Sequence, residues 1–322
     1  VIPCANGTDA LQVAMMGLGL KPGDEVITAD FTYASTVEVI ALLGLNPVLV
    51  DVDIDTFNIN PQAIEKAITS KTKAIVPVHL FGQPAAMDEI LEIAKKYNLY
   101  IIEDNAQALG AYFKNKEGKK IKTGCIGDIG TTSFFPSKNL GCYGDGGAIF
   151  TNNDELAHLI RGIANHGMYK RYYHDVVGVN SRLDSIQAVV LNEKLKLLDT
   201  YNEKRRKSAD TYTSFFKNNP KIITPKVVGD RNSHVFHQYT LRIINSDRDA
   251  LSEYLTSNKI PFGIYYPVPL HLQKAYADKR FKEENFGITN QLINEVISLP
   301  MHSELSLDQI DYISGKINKF LI

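Results

Sequence analysis

Over roughly the first 200 residues, two kinds of apolar spacing alternate along the chain. Asp9 to Leu20 carries apolar residues at helical intervals and stops near Gly19, Pro22 and Gly23, residue types that end helices. Glu25 to Thr28 and Pro47 to Val52 are short β-rich runs, and Pro61 to Ile68 has the spacing of an amphipathic helix. Ala74 to Val78 predicts a strand, Met87 to Tyr97 a helix and Leu99 to Glu103 another strand, with further strands over Ile129 to Phe134 and Gly147 to Thr151. Short apolar strands separated by helices need crossover connections. The expected core is therefore a mainly parallel sheet, buried by helices on both faces.

From Ser185 to Lys207 a single long helical pattern becomes increasingly charged and reads as a connecting helix. Beyond it the pattern changes. Gln238 to Ile243 alternates as an antiparallel strand would, while Arg248 to Asn258 and Leu307 to Phe320 predict helices. The expectation is an α/β chain with a large domain over residues 1–200 and a smaller α+β domain over 201–322. Lys114 to Lys122, rich in Lys and Gly, reads as a solvated surface loop. The chain opens on Val1 with a rich motif a few positions later, which suggests that a natural N-terminal segment lies outside the sequence.

Composition narrows the function. Among 322 residues, 44% are hydrophobic and 22% charged, enough for a large soluble core, and a formal net charge of -1 leaves no basic excess for a nucleic-acid backbone. Cys4, Cys125 and Cys142 are far apart and form no CxxC pair, which fits reduced thiols in a cytoplasm. The most apolar stretch, Val37 to Val52, is interrupted by Glu38, Asn46 and Pro47 and is too short to span a membrane. No HExxH or close His/Cys cluster suggests a metal.

Three short segments bear chemistry. Ile101-Ile102-Glu103-Asp104 delivers an acidic pair at the C-terminal end of a strand, where open parallel sheets bind ligands. Thr132 to Lys138 ends a strand with two aromatics and a lysine whose partial desolvation would favour its neutral amine. Asn6-Gly7-Thr8-Asp9 opens the first helix, and its free amides suit a phosphate, although Thr8 or Asp9 as an ordinary N-cap explains the same letters. Singly, each segment has a structural explanation: a helix cap, a surface lysine, a turn. Together they meet the needs of pyridoxal phosphate, which takes a lysine for its aldehyde, an acid for its ring nitrogen and an anion site for its phosphate.

The order of motifs then becomes specific. NGTDAL, FTYAST, EDNAQALGA, SFFPSKNLG, YGDGGAIFTN, NHG, VNSRLD and YYPVPLH follow one another from residue 3 to about residue 302. The series resembles the fold-type I sugar aminotransferases of the DegT/DnrJ/EryC1/StrS family. The resemblance implies that Gly7, Thr8 and Ser133 hold the cofactor phosphate, that Tyr33 stacks on its ring and that Gln107 lies near its hydroxyl. It makes Asp104 the partner of the ring nitrogen and Lys138 the Schiff-base lysine; relatives that dehydrate sugars carry His there, so Lys138 argues for amino transfer. Asn180 would reach the phosphate of a partner subunit, which implies a homodimer with composite sites.

The same resemblance implies glutamate as donor and a nucleotide-linked keto-sugar as acceptor, for surface polysaccharide or lipopolysaccharide synthesis. Phe134 to Phe150 and Gly178 to Asp184 look most like enzymes of UDP-2-acetamido-2-deoxy-3-oxo-glucuronate. Another NDP-3-keto or NDP-4-keto hexose stays open, as does a lyase or desulfurase, for which Cys142 is the one candidate nucleophile, or a non-catalytic regulator. Arg182 would read the uronate carboxylate through its planar fork, unless it is only a surface partner of Asp184. Tyr265 and Tyr266 would cover the sugar; relatives that use the uronate carry His-Tyr there, so Tyr265 is a departure. His166 and His302 stand near these motifs without a defined role.

Overall fold

The computed structural model describes residues 1–321. The chain runs β1 (Ile2–Cys4), α1 (Gly7–Gly17), β2 (Glu25–Ala29), α2 (Ser35–Leu42), β3 (Asn46–Val50), α3 (Pro61–Ala67), β4 (Thr72–Val76), α4 (Met87–Tyr97) and β5 (Tyr100–Asp104). After a hairpin of β6 (Tyr112–Lys114) and β7 (Lys120–Lys122) come β8 (Ile129–Ser133), β9 (Gly147–Phe150), α5 (Asp154–Ala164) and a ribbon of β10 (Met168–Lys170) and β11 (Tyr173–His174). One seven-stranded sheet results, in the order β1-β9-β8-β5-β4-β2-β3, with only β9 running against the rest.

Period-two alternation explains why these strands look uniformly apolar. Ile27, Ile75 and Ile101 point into one core with Ile64 of α3 and Met87, Ile90 and Ile93 of α4. Their neighbours Val26, Ala74, Val76 and Ile102 point into the other, with Leu11, Val13 and Met15 of α1, Ile40 of α2 and Ile160 of α5. Both sheet faces are thus buried, and the polar chemistry is pushed to the strand ends.

The C-terminal part comprises α6 (Ser185–Leu195), α7 (Leu198–Phe216), β12 (Ile222–Ile223), β13 (Tyr239–Ile243), α8 (Arg248–Ser257), α9 (Gly287–Glu295), β14 (Val296–Leu299) and α10 (Leu307–Phe320). β12, β13 and β14 form an antiparallel sheet. Tyr239, Leu241 and Ile243 pack with Tyr212 and Phe216 of α7, Leu251 of α8 and Ile313 of α10. Leu292 of α9 and Val296 of β14 instead join the core of the large sheet.

Three sequence expectations change. The connecting helix is two helices, because the Leu197 amide bonds back to Lys194 O, three residues away, and tightens the turn between them. β13 does not present its polar face to water: Thr240 pairs with Ser298 at 2.7 Å and Arg242 with Glu295 at 2.8 Å. The Lys- and Gly-rich segment is the β6–β7 hairpin, anchored by Lys120 on Asp230. Among the described residues, no helix is long and apolar enough to cross a membrane.

Candidate active site

A cavity of about 600 Å³ opens where the parallel strands end. Residues after β1, β2, β4, β5 and β8 line it, joined by His237 and Gln238 and by Tyr265 and Tyr266 from the loop after α8. A second hollow of about 460 Å³ on the opposite edge, around Gly17, Asp128 and Asn153, is lined by no lysine, arginine or histidine. Among the described residues, no group of three or more His, Cys, Asp or Glu side chains could hold a metal.

The acidic pair at the end of β5 divides its labour. Glu103 turns inward and accepts from the amides of Gly124, Ile126 and Gly127 at 2.6–2.8 Å and from His79 Nε2 at 2.9 Å. Burial pushes its pKa up, but these hydrogen bonds outweigh burial and hold the carboxyl below its ordinary range. Asp104, one residue on, faces the cavity. It is buried, and its carboxylate accepts from Thr36 Oγ1 at 2.9 Å and from the Ala106 amide at 3.1 Å. Thr36 comes from the first turn of α2 and lies within the FTYAST motif, to which sequence reading gave no role at that position.

Lys138 follows β8 and lines the same cavity. Burial lowers the pKa of its amine, and the negative charge of Asp104 opposes that shift in part. The first turn of α1 completes the group. Asn6 is its N-cap, accepting from the Asp9 amide at 2.8 Å, so neither Thr8 nor Asp9 caps the helix and the first amides face the cavity end of the strands. Gly7 lets this turn lie against β8: a Cβ at Gly7 would sit 2.7 Å from Ser133 Cβ.

The remaining lining residues are arranged as follows. Gln107 is held at both ends of its amide, accepting from the Phe81 amide at 2.7 Å and donating to Tyr266 Oη at 3.2 Å. Burial pushes the Tyr266 phenol well up, so it stays protonated. Tyr33, which alone would pass for a core residue, is 60% exposed and leaves its ring free in the cavity mouth, 6.4 Å from that of Tyr266. His237 was not anticipated from sequence; it is buried, lines the cavity and lies close enough to Lys138 to feel its charge.

Asn180 and Arg182 do not line the cavity of their own chain. Between them Ser181 is buried and accepts from the Ala5 amide at 3.1 Å, which leaves the two flanking side chains on the outer, exposed face. Arg182 forms no ion pair with Asp184 among the described residues. His166 and His302 are exposed and outside the cavity. Cys142 is fully buried, with its thiol 3.0 Å from the carbonyl oxygens of Phe134 and Gly144, and is no mobile nucleophile.

Few cofactors ask for a buried carboxylate, a lysine of lowered pKa and a helix end in one cavity; pyridoxal phosphate uses all three. A mostly parallel sheet that carries them at its C-terminal edge is the architecture of a fold-type I transferase. Comparison with known proteins makes the class particular: residues 1–318 match the DegT/DnrJ/EryC1/StrS aminotransferase family, and the chain belongs to it. The chain is 48% identical to the UDP-2-acetamido-2-deoxy-3-oxo-D-glucuronate aminotransferase of Pseudomonas aeruginosa, over 98% of this chain and 85% of that protein. It is also 48% identical to a pleiotropic regulatory protein of Geobacillus stearothermophilus, over 99% of this chain and 84% of the other. A crystal structure of a DegT/DnrJ/EryC1/StrS aminotransferase from Brucella abortus superposes with a TM-score of 0.93 at 42% identity, covering 99% of this chain and 85% of that one. The chain is therefore an aminotransferase for nucleotide-linked keto-sugars, and its cofactor is pyridoxal phosphate.

Proposed function

We propose that the amino donor is glutamate and that the acceptor is UDP-2-acetamido-2-deoxy-3-oxo-glucuronate, made for surface polysaccharide in the cytoplasm. The observation that carries the site assignment is Lys138, a lysine of lowered pKa in one cavity with the buried Asp104 carboxylate and the start of α1. The residues present fit the cofactor. The close approach that Gly7 permits, where a Cβ would collide with Ser133, sets the first turn of α1 against Ser133 at one end of the cavity. In this reading Gly7, Thr8 and Ser133 hold the phosphate, Tyr33 covers the ring, and Gln107, fixed by Phe81 and Tyr266, adjoins the ring hydroxyl.

The bound cofactor supplies an electron-withdrawing ring for the carbon that carries the migrating nitrogen. Asp104 holds a proton on the ring nitrogen, and Thr36 keeps the carboxylate oriented for it. Lys138 binds the aldehyde at rest and otherwise takes and returns a proton at Nζ, a task its lowered pKa favours. Both roles use side chains that a purely regulatory protein has no need to keep.

Substrate choice rests on charge. Lys138 is the one lysine or arginine lining the cavity among the described residues. A cofactor phosphate, a diphosphate and a uronate carboxylate bring several negative charges, so further cations have to come from elsewhere. In our reading a homodimer supplies one, with the Arg182 guanidinium and the neutral Asn180 amide on the outer face of one subunit entering the cavity of the other. Tyr265 and Tyr266 then cover the sugar; Tyr265 offers a phenol donor where uronate enzymes carry His.

Two measurements test this. Borohydride reduction of the loaded enzyme, followed by peptide mapping, should find the cofactor on Lys138; label on any other lysine overturns the site. A panel of nucleotide keto-sugars offered to the pyridoxamine form, read by product mass, should favour the UDP-3-keto-uronate; preference for a neutral or 6-deoxy sugar overturns the substrate and leaves the site standing.

A further inference from the structure

Asn139, next to the proposed cofactor lysine, is buried and uses its amide fully. Its Nδ2 donates to Val235 O at 3.0 Å and to Asn202 Oδ1 at 2.7 Å. A backbone carbonyl can only accept, so the NH2 group has to face Val235. Asn202 commits its own Nδ2 to Leu109 O at 3.2 Å, which leaves its Oδ1 as the acceptor for Asn139. Asn139 Oδ1 therefore faces His237 Nδ1, 3.3 Å away, and since an amide oxygen only accepts, Nδ1 carries the hydrogen.

A neutral imidazole protonated at Nδ1 has a bare lone pair at Nε2. Among the described residues the one side-chain hydrogen bond of His237 is that at Nδ1, and His237 lines the same cavity as Lys138. The ring does not compete for protons. Burial first, then the charges of Lys138 and Arg205, holds its pKa far below the ordinary value. Arg205 Nη1 also grips the segment by donating to the carbonyls of Phe236 and His237 at 3.1 and 3.3 Å. What remains is an acceptor at Nε2 on a ring that lines the cavity.

We propose that His237 is a positioning residue for Lys138: its Nε2 accepts an N–H of the lysine ammonium whenever Lys138 carries a proton. The proton taken from the substrate carbon stays on Nζ and is delivered from Nζ; His237 gains and loses none. The acceptor holds the ammonium in one orientation between the two transfers. This rests on Lys138 being the cofactor lysine, which the borohydride mapping tests separately.

The test starts without cofactor. In apoenzyme, the pH dependence of reductive methylation at Lys138, followed by peptide mass, reads the titration of that amine. An acceptor favours the ammonium, so its loss lowers the pKa. H237F, which keeps a planar ring and removes both nitrogens, should lower the midpoint by about one unit, about tenfold in acidity. H237Q, which restores an acceptor oxygen, should return at least half of that shift. In loaded enzyme, H237F should reduce kcat of both half-reactions about tenfold and leave KM for glutamate within about threefold. Nitrogen-15 NMR of histidine-labelled wild type, which needs no variant, should show the proton of His237 on Nδ1. A folded H237F with an unchanged Lys138 midpoint, or a wild-type proton on Nε2, overturns the proposal even if Lys138 is confirmed as the cofactor lysine.

Discussion

Replacing Gly7 with Ala isolates the phosphate cradle from the rest of the chemistry. The new Cβ would meet Ser133 Cβ at 2.7 Å and Ser133 Cα at 3.2 Å. Ser133 cannot retreat, because it closes the ladder opposite Gly147 on β9. The start of α1 has to move instead, by about 0.7 Å to restore the 3.4 Å of ordinary contact. Overpacking of this kind costs about 1–3 kcal/mol of stability. The same displacement loosens at least one amide hydrogen bond to the cofactor phosphate, worth about 1.5 kcal/mol for a charged acceptor, or roughly tenfold in affinity. Titrating apoenzyme with pyridoxamine phosphate measures this step alone, since that ligand forms no bond to Lys138. Gly315→Ala is the control: its Cβ meets nothing within 4 Å inside α10, so it should gain about 0.5–1 kcal/mol and bind the ligand normally. A Gly7→Ala protein with unchanged affinity and unchanged melting would refute the idea that this contact builds the cradle.

Four further outcomes are expected. Asp104→Ala should retain cofactor through its phosphate and lose at least ~10²-fold in kcat, since one preorganised charge is removed; near-normal turnover would count against its role. In a hybrid of Lys138→Ala and Asn180→Ala subunits, one composite site keeps both residues, so activity should return when the inactive parents are mixed; verified hybrids that stay inactive would mean each chain builds its own site. Arg182→Lys should raise KM for a keto-uronate by more than about tenfold, with KM of the glutamate half-reaction little changed, because a lysine lacks the planar fork. The lowered pKa of Lys138 means that the folded chain binds fewer protons than the unfolded one between that value and about 10.4. Apoenzyme stability should rise with pH across that window, and Lys138→Met should flatten the rise in a denaturant series taken at several pH values.

Local pattern carried much of this fold. α4 and α10 begin and end where the spacing puts them; α10 also has the reciprocal capping box of Ser306 and Gln309, a signal contained in four residues. Asp104 and Lys138 were legible because one ends a strand and the other follows one closely, and strand ends are where a parallel sheet exposes polar groups. Where local signals are silent or misleading, the reading fails. α2 (Ser35–Leu42) went unassigned: its Ser35-x-x-Glu38 letters suggest a capping box, but Ala34 is the N-cap with no side-chain cap bond, and the helix runs on into the apolar letters that lead to β3. The division of Glu103 from Asp104 depends on which face of β5 meets three amides from a later turn. Thr36 reaches Asp104 across 68 positions, and His237 reaches Asn139 across 98. Periodicity and capping depend on backbone geometry over a few residues, so a single sequence displays them directly. Contacts between distant segments, and the tautomer and pKa they impose, arise only when packing closes the cavity; the sheet order and the loop carrying His237 decided those.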